Sequence, residues 1–262
     1  MGYNYKIILQ YEGTRYNGWQ KQGNTTNTIQ GKLELVLERM AGYPVEVHGS
    51  GRTDAGVHAL GQVANFHLRQ EWEPGKIMSY LNRYLPEDIA ILQAERVPER
   101  FHSRLQAIEK VYRYQIETRE KRDVFQRRMQ YRLGDALDIR VMQEAAELLC
   151  GTHDYKSFCG NPQMKKSTIR TVRRITINQE PGDSLVIITF WGDGFLQHMV
   201  RILTGTLIEV GQGKRLPWQM SHILEARDRK MAGFTAPAEG LSLIKVEYSY
   251  PLGVGIGHLD VS

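Results

Sequence analysis

Residues 47–68 read VHGSGRTDAGVHALGQVANFHL, and Arg52 and Asp54 stand two apart in a loop flanked by Gly49, Gly51 and Gly56. The run after the loop alternates apolar with more polar residues, as a strand with one buried face does. "VEVHG" and "QVANFHL" are therefore expected to be consecutive strands on either side of the glycine loop. Glycine permits positive φ and close backbone approach. A charged pair beside a core must face the cost of leaving water. Either the pair braces a turn, or the site needs an ionised carboxylate in a partly dry place.

Upstream, "YKIILQYEG" alternates through Tyr5, Ile7, Leu9 and Tyr11 and reads as a strand. "NTIQGKLELVLERMAGYP" is helical: Ile29, Leu33, Leu37 and Met40 share a face, Asn27 or Thr28 can cap it, and Gly42 and Pro44 end it. Downstream come a helix at "GKIMSYLNRYL" and a strand at "IAILQAERV". The order then repeats. "EKVYRYQIE" is a strand with Tyr112, Tyr114 and Ile116 on one face. "DIRVMQEAAELLCG" is a helix capped by Asp138, with Gly151 expected as its C′ residue. "IRTVRRITINQ" and "SLVIITFW" are strands, "GFLQHMVRILTGTLIEVG" a long helix, "PWQMSHILEARD" a shorter one, and "LSLIKVEYSY" the last strand.

Two βαββαβ sets predict an α+β chain of two ferredoxin-like units packed side by side, with a mostly antiparallel sheet and a basic central cleft. The expected division is 1–104, 105–250 and a tail over 251–262, with the Arg52/Asp54 loop in the first unit.

The 262 residues are 41% hydrophobic and 24% charged, ordinary for a globular protein. No run has the length of a membrane helix, and "MGYNYKIILQ" has no signal-peptide pattern. Cys150 and Cys159 form no CxxC and read as reduced thiols, so a cytoplasmic protein without metal is expected. Charge is uneven. From Arg96 to Arg132 eleven basic residues face five acids, a net +6, while the whole chain carries +5. Lys165, Lys166, Arg170, Arg173 and Arg174 form a second basic cluster. Tyr112, Tyr114, Phe125 and Tyr131 interleave with the first patch, the mixture used for phosphate contact and base stacking.

"GSGRTDAGVHA" resembles the catalytic motif of the tRNA pseudouridine synthase A family. Further signatures similar to that family's follow in register: "YEGTRYNGWQKQ", "TIQGKLE", "FHSRLQAIEKVYRYQI", "GTHDYKSF", "DGFLQHMVRILTG" and "TAPAEGLSLIKVEY". Leu105 departs from the pattern where an aromatic is usual, and "GVGIGHLDVS" has no counterpart. The resemblance implies isomerisation of uridine to pseudouridine at positions 38, 39 and 40 of the tRNA anticodon stem-loop, by a homodimer. The N1–C1′ bond breaks, the uracil turns, and a C5–C1′ bond forms. No cofactor is implied, and the phosphate-loop pattern GxxxxGK[ST] is missing.

By this match Asp54 is the nucleophile, and attack at C6 of uracil or at C1′ of ribose alike requires it ionised. Arg201, in "HMVR", is similar to the arginine that pairs with the catalytic aspartate. Such a cation favours the charged carboxylate. Arg52 resembles the residue that enters the RNA stack and holds the target base out; bracing the loop is its plainer role. Tyr112 looks like the active-site tyrosine that stacks on uracil, with Tyr114 as a core residue on the same face. Leu241, or else Leu243, supplies an apolar wall, and Lys245 shares their face by alternation. Lys165, Lys166 and Arg170 are expected to contact tRNA. His58 and His102 read as structural or RNA-contacting histidines. A catalytically silent RNA-binding module is the main competing reading; an aspartic hydrolase would need a second carboxylate loop, and the sequence has none.

Overall fold

The computed structural model describes residues 2–23, 25–121, 123–161 and 163–249. The expected tail over 251–262 lies outside them. β1 (Tyr3–Tyr11) buries Tyr5, Ile7, Leu9 and Tyr11 on alternating positions. α1 (Ile29–Ala41) starts where Thr28 accepts a hydrogen bond from the Gly31 amide and ends at Gly42, whose φ of 80° is left-handed. That pair of ends satisfies backbone groups a helix leaves open. β2 (Val47–Gly49), β3 (His58–Leu68), α2 (Pro74–Tyr84) and β4 (Ile89–Arg96) complete the first half.

The second half holds β5 (Ala107–Glu117), β6 (Tyr131–Arg132), α3 (Ile139–Leu148), β7 (Gly151–Asp154), β8 (Ile169–Gln179) and β9 (Leu185–Gly192). α4 (Met199–Gly211), α5 (Gln219–Ala226) and β10 (Leu241–Tyr248) follow. The strands form one ten-stranded sheet, ordered β4-β1-β3-β10-β5-β9-β8-β7, with β2 beside β3 and β6 beside β5. All pairs are antiparallel except β10 with β3 and β5 with β6. β10 is the seam. It runs parallel to β3 through Ser242 and Leu243 and antiparallel to β5 along most of its length. α2 packs on β4 and touches α1, while α3 packs on β8 and α4.

Three expectations change. Gly151 is not the C′ residue of α3; the helix ends at Leu149, and Gly151, with φ 118°, opens β7. α4 begins at Met199 rather than Gly194, because His198 takes a left-handed φ of 59° and stops the helix from extending backwards. Short β6 and β7 lack the length for a readable alternation. No helix among the described residues is long and apolar enough to cross a membrane.

Candidate active site

The loop between β2 and β3 is tied down at nearly every residue. The Ser50 amide donates to Val63 O at 2.7 Å, and its hydroxyl donates to Gln62 Oε1 at 2.6 Å. Gln62 in turn donates to Gly51 O. Thr53 O accepts from the Trp19 amide at 3.0 Å, and Thr53 Oγ1 shares a 2.8 Å hydrogen bond with the Tyr11 hydroxyl. Asp54 O accepts from the Val57 amide. Gly56 has φ 80°, and a Cβ on Gly49 would lie 2.4 Å from the Trp19 ring, so both positions require glycine. Gly18, at φ 84°, presses on the loop from outside; a Cβ there would sit 2.7 Å from Thr53 O.

This scaffold aims Asp54 across the sheet at α4. Arg201 Nη1 donates to Asp54 Oδ2 at 3.1 Å. Arg201 Nε donates to Ala236 O at 2.7 Å, and Arg201 O accepts from the Ala236 amide, so the guanidinium is clamped along one edge. His198 brings Nε2 to 3.6 Å from the same carboxylate oxygen. Its ring packs on Gly160, where a Cβ would fall 2.5 Å from His198 Nδ1. His198 and Arg201 sit three residues apart, on one side of the helix start. The Asp54 carboxylate is partly buried, 24% exposed, and Arg201 is 16% exposed.

A cleft of about 1160 Å³ opens over this pair, and Arg52, Asp54, Tyr112, Lys165, Lys166, Arg170, Arg201 and Leu241 all line it. Asp54 and Leu241, 187 residues apart in sequence, meet in one site. Arg52 is exposed and makes no hydrogen bond or ion pair with the described residues, so it does not brace the loop. Tyr112 is 7% exposed and meets Phe195 edge-on at 5.3 Å. Burial, with lesser contributions from Tyr11 and Asp54, pushes its phenol well above the ordinary tyrosine value. Tyr114 is fully buried and donates to Pro237 O, the core role expected of it. Leu241 reaches the cleft; Leu243 is fully buried and does not line it. Lys245 does not reach it either. A register shift between Leu243 and Lys245 turns Lys245 outward, where it pairs with Glu247 at 2.7 Å.

His58 is fully buried between the halves: the Gly13 amide donates to Nδ1, and Nε2 lies 3.1 Å from Glu239 O. Both nitrogens are engaged, so it is structural. His102 stacks on His48 at the cleft rim, ring centroids 5.1 Å apart. Among the lining residues that went unread in the sequence are His198, Phe195 and Lys110. The H-x-x-R spacing was the available signal for His198. For Lys110 it was strand alternation from Tyr112.

A family model described as tRNA pseudouridine synthase matches residues 7–105 and 145–249. A protein of a Bacillus strain, KSM-64, named tRNA pseudouridine synthase A is 47% identical over 94% of this chain and 99% of its own. A homologue of that name from Acetivibrio thermocellus is 44% identical, covering 94% and 99%. One from Clostridium tetani, named tRNA pseudouridine synthase A 2, is 45% identical over 95% of this chain and all of its own. With matched segments spanning both halves of the sheet and the Asp54–Arg201 pair between them, the chain belongs to the tRNA pseudouridine synthase family.

Proposed function

We propose that this chain isomerises uridine to pseudouridine in the anticodon stem-loop of tRNA, at positions 38, 39 and 40, with Asp54 as nucleophile. The observation that carries this reading is the Asp54 carboxylate held 3.1 Å from Arg201 at the floor of a cleft lined by four further cations named above. A cleft bearing Arg52, Lys165, Lys166 and Arg170 is positively charged and suits an RNA backbone. Each half has the strand order of a ferredoxin-like βαββαβ unit, β4-β1-β3-β2 and β10-β5-β9-β8, which supports division into 1–104 and 105–250.

In this mechanism Arg52 enters the anticodon arm and holds the target nucleotide out of its stack, a displacement that costs a few kcal/mol. The extruded uracil lies on Tyr112, with Leu241 as an apolar wall that keeps the freed base from leaving. Asp54 forms the covalent adduct with Arg201 donating to its carboxylate, the N1–C1′ bond breaks, the turned uracil joins C1′ through C5, and the adduct then breaks to return free Asp54. The phenol of Tyr112 stays protonated at neutral pH, so it stacks and donates a hydrogen bond rather than acting as a phenolate base. Loss of the C5 proton and gain of a proton at N1 complete the isomerisation. The protein works as a cytoplasmic homodimer in this reading, with tRNA lying across both subunits.

Tritium release from tRNA labelled with [5-³H]uridine tests it. Wild type releases label, and Asp54→Ala binds tRNA without release. A wild type at background, with tRNA bound, would leave the silent RNA-binding module instead.

A further inference from the structure

Lys110 lies on β5 two residues before Tyr112, so strand alternation turns both toward the cleft they line. Its ammonium donates to Ser50 O at 2.8 Å, and the position of a Gly51 Cβ is 3.0 Å from Nζ. The lysine thus sits under the strand end that leads into Arg52. Among the described residues, one of its three N–H donors is used. Among the described residues it has no ion-pair partner.

The charged groups that face it are Arg104 from the segment after β4, Arg170 at the start of β8, and Asp193 just beyond β9. Two cations outnumber one acid, and Asp193 already accepts from the Thr171 amide. Burial first, then repulsion from Arg104 and Arg170, pushes the Lys110 ammonium down to about 8. A dehydrated ammonium beside like charges is unfavourable until an anion arrives. Arg104 and Arg170 line the same cleft, so the anion would meet all three cations.

We propose that Lys110 is a phosphate-binding residue, holding an RNA backbone phosphate under the Arg52 loop, next to the nucleotide that Asp54 attacks. The proposal rests on the tRNA reading above and deepens it. Arg52 displaces a base, which swings the backbone; a fixed phosphate anchor at the foot of that loop makes the swing productive. Binding carries a proton consequence. A bound phosphate raises the lysine's pKa, so the complex holds a proton that the free protein sheds above about pH 8. Affinity therefore declines as pH rises through that value.

The test compares wild type, Lys110→Met and Lys110→Arg, using an unmodified tRNA transcript and a filter-binding readout. Lys110→Met weakens binding about tenfold and lowers the slope of log K against log salt by about 0.7 to 0.9, one phosphate contact. Lys110→Arg restores both. Its affinity stays level between about pH 7.5 and 9.5 while that of wild type falls, because a guanidinium does not titrate there. An unchanged salt slope in Lys110→Met, or a Lys110→Arg protein whose affinity falls with pH as wild type does, overturns the proposal. If wild type itself releases no tritium from labelled tRNA, the enzymatic reading fails instead.

Discussion

The loop over residues 50–57 and the lysines at 165 and 166 line the same cleft and are held in opposite ways. In the first, Ser50, Gly51, Thr53 and Asp54 are each bonded to the surrounding protein, Gly18 brings backbone into contact with it, and Gly49 at its start lies against the Trp19 ring. By contrast, Lys165 and Lys166 are exposed and make no hydrogen bond or ion pair with described residues. Covalent attack needs its atom held to within a fraction of an ångström. Attraction of a phosphate chain acts over a Debye length of about 8 Å and tolerates loose placement. One cleft thus holds a rigid site and a permissive one.

The sharpest break in this contrast is Asp54→Asn. It should lower single-turnover tritium release at least about ten-thousand-fold while shifting tRNA affinity by under about threefold; an affinity loss as large as the rate loss would erase the distinction. Arg201→Lys keeps a charge but cannot both clamp Ala236 O and meet Asp54 as a planar fork does. Its kcat should fall about a hundredfold, with KM little moved; a defect confined to KM would separate the pair from chemistry. Gly18→Ala tests the rigidity itself. Left-handed φ and a 2.7 Å approach to Thr53 O predict a loss of about 2 kcal/mol, or about 5 °C in Tm by calorimetry. Gly23→Ala, with nothing within 4 Å of its new methyl, should leave Tm where it was. The permissive site gives the smallest effect on rate. Replacing Lys165, Lys166 and Arg170 together by Ala should weaken tRNA binding about tenfold and flatten the salt slope by up to three contacts. A loss falling on kcat alone would mean that these residues are as precisely seated as Asp54.

Local elements were readable where one stretch of chain dictates them. The Thr28 cap, the Gly42 stop and the Asp138 cap are each settled within a turn of helix. The start of α4 was not readable, because nothing in its own stretch of sequence marks the left-handed backbone of His198, whose ring packs on Gly160, 38 residues away. The same limit applies to the site. Asp54 and Arg201 are 147 residues apart, and nothing in either segment's periodicity joins them. Their convergence was expected from the family resemblance, which named Asp54 and Arg201 and passed over Lys110 and His198. Lys245 shows the reverse failure. Alternation placed it on the Leu241 face, and a single register shift moved it to solvent.

β10 has a consequence for the timing of synthesis. As the strand between β3 and β5, it is also the last described element to leave the ribosome. Until residues 241–248 emerge, the nascent sheet lacks its central rung, and the two carboxylate-bearing and guanidinium-bearing halves have only each other's edges to find. Chains that stop before residue 241 would therefore carry both charged groups of the pair without the strand that joins β3 to β5.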